Sequence, residues 1–157
     1  MDFFKKHNIL TDAVLLILLG ILLFINIKSL ADLKAYGIEY ATTQAEAVIT
    51  EYRSVKGLLG KEHYAPVMEL AVGESVYTRD SLVAFSEMGE AGQGVEVLYD
   101  ASNPAAFYTE EEIKYVEEKI EAQNTRVFLF GGVFIIMIII LIGDIRKKYK
   151  EGKNENL

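Results

Sequence analysis

Two long apolar runs, one near each end of the chain, constrain its fold more than any other feature. The first extends from Ile9 to Ile27 and the second from Val127 to Ile142, and the second run contains no polar side chain. An α-helix needs about 20 mainly apolar residues to cross a bilayer core of roughly 30 Å. The second run reaches this length when it is extended to Ile145. We therefore predict two transmembrane helices, over residues 9–27 and 127–145.

Two other interpretations of these runs are open. They could form buried core helices, but a chain of 157 residues would hardly hide two such helices at its ends. The first run could instead be a cleaved signal peptide, because Lys5 and Lys6 precede it and Ser29-Leu30-Ala31 follows it. Asn26 and Lys28 separate the apolar stretch from these small residues, which favours an uncut anchor. Cleavage would leave a single-span protein.

Basic residues flank both runs on the sides that face the chain ends. Lys5 and Lys6 precede the first run, and the second is followed at once by Arg146, Lys147, Lys148 and Lys150. Cytoplasmic flanks of membrane helices carry an excess of Lys and Arg. We therefore predict a two-span protein of the cell membrane with cytoplasmic tails at residues 1–8 and 146–157. The segment between the spans is then extracytoplasmic.

The intervening segment, residues 28–126, is acidic and the chain lacks cysteine. This segment has nine Lys or Arg against eighteen Asp or Glu. Nucleic-acid binding is disfavoured, because it relies on clustered Lys and Arg to neutralise phosphates. The absence of cysteine excludes disulfides, thiol chemistry and thiolate metal sites. The lipid bilayer is the one partner that the sequence predicts directly.

Between the apolar runs the sequence period changes from helical to extended. Residues 28–42 are expected to continue as a polar juxtamembrane helix to about Tyr40, with Gly37 as its weakest point. Residues 43–108 alternate as strands do and are predicted to form a small β domain. Its five strands are Ala45–Tyr52, Tyr64–Val72, Ser75–Arg79, Val95–Asp100 and Ala105–Tyr108.

The residues at the turns and faces refine this β domain. Pro66 should lie at a strand start or edge, because it cannot donate a ladder hydrogen bond. Gly73-Glu74 suits a two-residue hairpin turn with glycine first. Met68 and Leu70 share one strand face, and Val97 is placed on the inner face of its strand. Five short strands bury one face most economically as a small, mostly antiparallel barrel or sheet.

A helix start signal follows the last strand. Thr109 precedes three glutamates, and Glu112 stands three residues after it, which is the pattern of a capping box. Residues 109–126 are predicted as a helical stalk that continues through Asn124 into the second span. The predicted fold class is thus an α+β membrane protein, with two transmembrane helices flanking a five-stranded β barrel or sheet.

Several motifs of the β domain resemble one bacterial family. They comprise Tyr64-Ala65-Pro66-Val67, Gly73, Tyr77 and the pair Val95-Glu96-Val97-Leu98-Tyr99-Asp100 and Asn103-Pro104-Ala105-Ala106. In these motifs the chain resembles the family called domain of unknown function 3592, whose members place such a β domain beside or between membrane helices. Ala101 stands where we would expect a proline. The resemblance implies a fold and a location, and no activity.

The residue inventory disfavours an enzyme. His7 lies in the predicted cytoplasmic tail and His63 at a strand start, so no histidine pair can hold a metal. The serines lack a second motif element such as a nucleophile elbow. The spacing of Gly89, Gly92 and Gly94 imitates a phosphate loop without its lysine or its helix. We predict no catalytic, cofactor or metal site.

A channel or transporter subunit is an alternative. Ion pathways need polar groups inside the membrane, and the second run has none. The first run contains Asp12 and Asn26 near its two ends, and Asp144 stands next to the basic tail. These residues would ring a pore only in an oligomer.

A membrane-tethered binding or accessory module, acting on a membrane or envelope partner, is the function that this sequence favours. Leu58 and Leu59 lie in an expected hairpin loop, where they could form a docking tip or fold back onto the barrel. Gly20 and Gly131-Gly132 allow close helix approach, either between the two spans or in a dimer. The sequence separates neither pair of alternatives.

Overall fold

The structure is a computed structural model, and it describes residues 9–57 and 60–154. The chain is α+β, with two long apolar helices and a five-stranded antiparallel sheet. The helices are α1, Ile9–Lys34, and α2, Glu110–Asn154. The strands are β1, Thr43–Lys56; β2, Glu62–Val72; β3, Ser75–Asp80; β4, Gly94–Asp100; and β5, Asn103–Tyr108.

The described chain divides into two compact units. One consists of residues 9–32 and 121–154 and is called the helical unit here. The other, residues 33–120, contains the whole sheet and is called the β unit.

The helical unit exposes its apolar side chains. Of the most apolar 18 residues of each helix, 6% are buried in α1 and 0% in α2. Both helices are long and apolar enough to cross a membrane.

Gly20 packs against the ring of Phe134, to which an added Cβ would approach within 3.3 Å. The amide of Gln123 donates to the carbonyl oxygen of Asn26 at 3.0 Å and to its Oδ1 at 2.8 Å. The two helices therefore contact each other within one chain.

Helix α1 is shorter than the predicted helix, which extended to about Tyr40. It ends at Lys34, whose carbonyl accepts a hydrogen bond of 3.1 Å from the backbone N–H of Gly37. Gly37 has a φ of 65°, in the left-handed region that ends many helices. A short 3₁₀ turn, Ile38–Tyr40, follows. Gly37, the expected weakest point of the predicted helix, therefore lies just beyond the end of α1.

The sheet has the strand order β3-β2-β1-β4-β5, and all neighbouring strands are antiparallel. The edge strands β3 and β5 also contact each other, so the sheet curls into a nearly closed barrel. All five predicted strands are present. The turn at Gly73-Glu74 joins the paired residues Val72 and Ser75, and Gly73 has a φ of 62°. The predicted two-residue hairpin is confirmed.

The prediction for Pro66 was wrong, because Pro66 lies inside β2, which has neighbours on both sides. Its carbonyl accepts a hydrogen bond of 2.7 Å from the N–H of Ser81, on the side of β3. The ladder of β3 has already ended there, at the pair of Val67 and Asp80. The missing N–H of Pro66 therefore interrupts no β2–β3 ladder bond, and the proline is tolerated in an inner strand.

One apolar cluster fills the inside of the curled sheet. Its buried members are Ala47, Ile49, Met68, Leu70, Val97 and Phe107. The predicted inner face of β4 is confirmed, because Val97 is buried and lies in this cluster. Fully burying a side chain of this size contributes about 1.5–3 kcal/mol, so the cluster is the main source of cohesion in the β unit.

Helix α2 begins with the predicted capping box. The N–H of Thr109 donates to Glu112 Oε2 at 2.9 Å, and the N–H of Glu112 donates to Thr109 Oγ1 at 3.2 Å. These reciprocal bonds satisfy two backbone donors that a helix start leaves without partners. The helix then runs unbroken through Asn124, as predicted.

Candidate binding groove

The curled sheet is open at one end, because its strands differ in length. Strand β5 ends at Tyr108, which pairs with Leu98, so the first residues of β4 have no β5 partner. Strand β3 ends at Asp80, which pairs with Val67, so the first residues of β2, from Glu62 onward, have no partner in β3. At this end β3 and β5 therefore do not close the sheet.

Residues 81–93, named the cover loop here, cross this opening. Near its start, Phe85 exchanges two backbone hydrogen bonds with Tyr64, of 2.8 and 2.9 Å. At its end, the N–H of Gly92 donates to the carbonyl of Ile49 at 2.7 Å, and the N–H of Ile49 donates to the carbonyl of Gln93 at 2.9 Å. The loop is thus tied to β2 and to β1, and it stands over the interior at a fixed place.

Between the cover loop and the sheet is a groove of about 1140 Å³. Its floor includes four side chains of the sheet interior, Ile49, Met68, Val95 and Val97. The cover loop contributes Phe85 and Met88, which are 38% and 60% exposed. Large side chains that remain this accessible beside an apolar floor make this groove a candidate binding surface.

The groove is rich in carboxylates. Four glutamates line it, from the cover loop, β4 and the first turn of α2: Glu87, Glu96, Glu110 and Glu111. Among the described lining residues, Lys114 is the one cation. The apolar floor therefore carries a net negative rim.

A buried ion pair fixes the wall of the groove that α2 supplies. Arg79 Nη2 donates to Glu112 Oε1 at 2.9 Å, and its Nη1 donates to Oε2 at 3.1 Å. The side chains of Arg79 and Glu112 are 15% and 1% exposed. Arg79 Nη1 also donates to the carbonyl of Phe107. We call these two residues the latch, since they join β3 to α2.

Both oxygens of the Glu112 carboxylate accept hydrogen bonds from groups of the β unit. Oε2 accepts from Arg79 and from the N–H of Thr109, and Oε1 accepts from Arg79 and, at 2.6 Å, from the N–H of Leu82 at the start of the cover loop. The carboxylate thus holds the cover loop and α2 together. Sequence reasoning assigned Glu112 to the capping box and missed its pairing with Arg79, which lies 33 residues earlier.

Aromatic rings complete the surroundings of the latch. The guanidinium carbon of Arg79 lies 4.7 Å from the centre of the Tyr108 ring and 5.4 Å from that of Phe107. The hydroxyl of Tyr108 donates to the carbonyl of Tyr36 at 2.6 Å. Burial raises the pKa of Tyr108, and the nearby positive charge of Arg79 opposes that shift. The phenol therefore stays a neutral donor across the physiological range.

The motif residues singled out in the sequence fall into three groups. Pro66 and Val97 line the groove, and Tyr64 holds the cover loop through the backbone bonds to Phe85. Tyr77 and Tyr99 pack against the apolar cluster. The others, Gly73, Asp100, Asn103 and Pro104, lie in or beside the two hairpin turns.

The turn between β4 and β5 shows why its motif has this composition. Asp100 pairs with Asn103 across a two-residue connection. Asp100 Oδ1 accepts hydrogen bonds from the N–H of Ser102 at 2.8 Å and from its hydroxyl at 2.7 Å. These bonds to Ser102 lower the pKa of Asp100. An aspartate that bonds the backbone two residues onward stabilises a turn, so Asp100 has a local structural role.

Two other sequence predictions concern the docking tip and metal sites. Leu58 and Leu59 lie outside the described residues. Among residues 9–57 and 60–154, no group of three or more His, Asp or Glu side chains is arranged to hold a metal ion.

Comparison of the chain with protein-family models, curated proteins and solved structures finds no match. The resemblance to domain of unknown function 3592 stays a prediction.

Proposed function

We propose that this protein is a membrane-anchored binding module, in which the two helices cross the bilayer and the groove of the β unit captures a partner. The observation that carries the proposal is the groove itself: exposed apolar side chains, Phe85 and Met88, on a loop that is tied to the sheet at two places and stands over an apolar floor. Concave apolar surfaces with a few polar groups are the usual form of a binding site.

The anchor is supported by the exposure of the helices. Core helices of a soluble protein would be mostly buried, whereas the most apolar parts of α1 and α2 are almost fully exposed. Side chains such as Phe128, 82% exposed, and Ile139, 64% exposed, would be costly to leave in water. A bilayer removes that cost, because its interior is as apolar as these side chains.

The lining favours binding over catalysis. Its hydroxyl groups include Ser81, whose Oγ accepts a hydrogen bond of 3.1 Å from the N–H of Val83 and so stabilises the cover loop. Activated nucleophiles need an adjacent general base, most often histidine, and none of the described residues that line the groove is a histidine. A groove of this composition can select a partner by shape and charge.

The proposed orientation places the β unit outside the cytoplasm, following the basic flanks. Because the chain has no cysteine, single-cysteine variants label at one site only. Val76→Cys should react with a membrane-impermeant maleimide on intact cells, and Lys150→Cys only after permeabilisation. Labelling of position 150 and protection of position 76 in intact cells would reverse the proposed topology.

The binding role is tested with two cysteine variants of similar exposure. Met88 in the groove is 60% exposed, and Val76 on β3 is 63% exposed and lies outside the groove. If the groove is occupied in native membranes, Met88→Cys should label slowly there and faster in the purified protein. Val76→Cys should label equally in both. An unchanged rate at position 88 would contradict the proposed binding role.

A further inference from the structure

We infer that the groove takes a polypeptide segment of a partner that combines apolar side chains with flanking Lys or Arg residues. This inference rests on the proposed function, and it specifies the chemistry of the occupant. It follows from the volume of the groove, the nature of its floor and the sign of its rim.

The size and shape favour a chain segment over a small molecule. Pockets for small ligands typically enclose about 300–1,000 Å³ and bury most of the ligand. This groove has about 1140 Å³ and is open to solvent along the cover loop, where Glu87 and Met88 are exposed. A segment could lie along such a groove while its flanks remain outside.

The apolar residues of the groove would bind the apolar side chains of the partner segment. The accessible apolar surface consists mainly of Phe85 and Met88 on the cover loop and the half-buried Val95 on β4, above the buried Met68 and Val97. Methionine side chains adapt to different apolar partners, because they are unbranched and polarisable. Apolar side chains of the partner would displace water from this surface, which drives association.

The rim supplies the charged half. Glu110 and Glu111 lie in the first turn of α2 and are exposed, and Glu87 extends the same charge onto the cover loop. Lys114 is the single opposing charge among the described lining residues. Complementary charge accelerates encounter and excludes partners of the wrong sign. An acidic segment would face several carboxylates at close range, whereas a basic one would pair with them.

The test uses the full-length protein in nanodiscs of zwitterionic phosphatidylcholine, with an environment-sensitive fluorophore on Met88→Cys. Three short peptides are compared: alternating leucine and lysine, alternating leucine and glutamate, and alternating serine and lysine. We expect the leucine–lysine peptide to bind at least about tenfold more tightly than either other peptide, since each of the others lacks one half of the complementarity.

Charge variants show whether the rim is responsible. Glu110→Gln combined with Glu111→Gln should weaken binding of the leucine–lysine peptide roughly threefold to tenfold, because each exposed ion pair contributes modestly. Glu117→Gln combined with Glu118→Gln is the matched control, since these residues are exposed on the same helix and do not line the groove. The control should bind like the parent protein.

Each other outcome overturns the inference in a distinguishable way. Equal binding of the serine–lysine peptide would mean unspecific attraction to an acidic surface. Equal binding of the leucine–glutamate peptide would mean an apolar groove without charge selection, which leaves the proposed binding role intact. If no peptide binds, the inference fails. The proposed function fails with it only if position 88 is also unprotected in native membranes.

Discussion

The two units of this protein place their large apolar side chains in opposite ways. In the β unit, Leu70 and Phe107 are each 0% exposed, whereas in the helical unit Phe128 is 82% exposed and Ile135 59%. The β unit follows the rule of proteins folded in water, where apolar side chains cluster inside. The helical unit does not. The difference supports the proposal that the two units are built for different solvents, water around the sheet and lipid around the helices.

Polar contacts follow the same division. The β unit contains the latch, in which both oxygens of the almost fully buried Glu112 carboxylate accept hydrogen bonds. In the helical unit Gln123 donates a hydrogen bond to Asn26, and Gln123 is also buried. Both join segments that are distant in sequence. Their energetic importance should differ, because an unfolded chain in water and a helix in lipid are different reference states.

The largest expected effect is on the apolar interior of the β unit. Val97→Asp should unfold this unit, because a buried unpaired charge costs several kcal/mol of a total stability of about 5–15 kcal/mol. Val76→Asp, at an exposed site on β3, is the matched control and should leave the unit folded. Limited proteolysis of the full chain in detergent measures both. A protease-resistant Val97→Asp β unit would break the assignment of an interior face.

The latch should show the next largest effect. Glu112→Ala removes the partner of a buried Arg79 and should lower the free energy of unfolding by about 3–5 kcal/mol. Glu111→Ala, at the exposed neighbouring position, should change it by less than about 0.5 kcal/mol. Denaturant titration followed by tyrosine fluorescence measures the difference. Replacing both latch residues, Arg79→Met with Glu112→Leu, should recover part of the loss, because no unpaired charge remains although the hydrogen bonds from Thr109 and Leu82 are still missing. A double variant no more stable than Glu112→Ala would contradict the ion-pair explanation.

In the helical unit the corresponding polar contact should matter less. Gln123→Leu removes the hydrogen bonds to Asn26, next to the predicted spans, and should destabilise helix association by about 0.5–1.5 kcal/mol, the net contribution of a typical hydrogen bond. The exposed neighbour Asn124→Leu serves as the control. Unfolding of the helical unit in bicelles provides the measurement. A loss as large as that of Glu112→Ala would remove the distinction between the two units.

The smallest effect is expected at the surface turn of the β unit. The hydrogen bonds from Ser102 lower the pKa of Asp100 in the folded protein. The stabilisation from the ionised carboxylate is therefore present above the ordinary value of about 4 and is lost as the pH falls through the lower, folded value. Asp100→Asn should lower the thermal midpoint slightly at neutral pH and less in acid. A difference from the parent that grows in acid would contradict the shift.

The strands and the start of α2 could be predicted from the sequence, because their determinants are local. Alternation over a few residues identified all five strands, and the spacing of Thr109 and Glu112 identified the capping box. Gly37 was recognised as a weak point, although the helix ends before it at Lys34.

The groove could not be predicted, because it depends on contacts between distant segments. Nothing near Arg79 indicates that it pairs with Glu112, and nothing near Phe85 indicates its bridge to Tyr64. The placement of Pro66 failed for the same reason, since it is tolerated only because β3 ends beside it. Local pattern specifies the elements, and packing between them specifies the candidate site.

One measurement tests the two-solvent account most directly. Spin labels on the single-cysteine variants Ile139→Cys and Val76→Cys occupy positions that are 64% and 63% exposed in the structure. In native-like bilayers, the label at position 139 should be accessible to oxygen, which concentrates in lipid, and protected from a water-soluble nickel complex. The label at position 76 should show the reverse. If both labels were equally accessible to the nickel complex, the helices would lie in water and the membrane anchor would be contradicted.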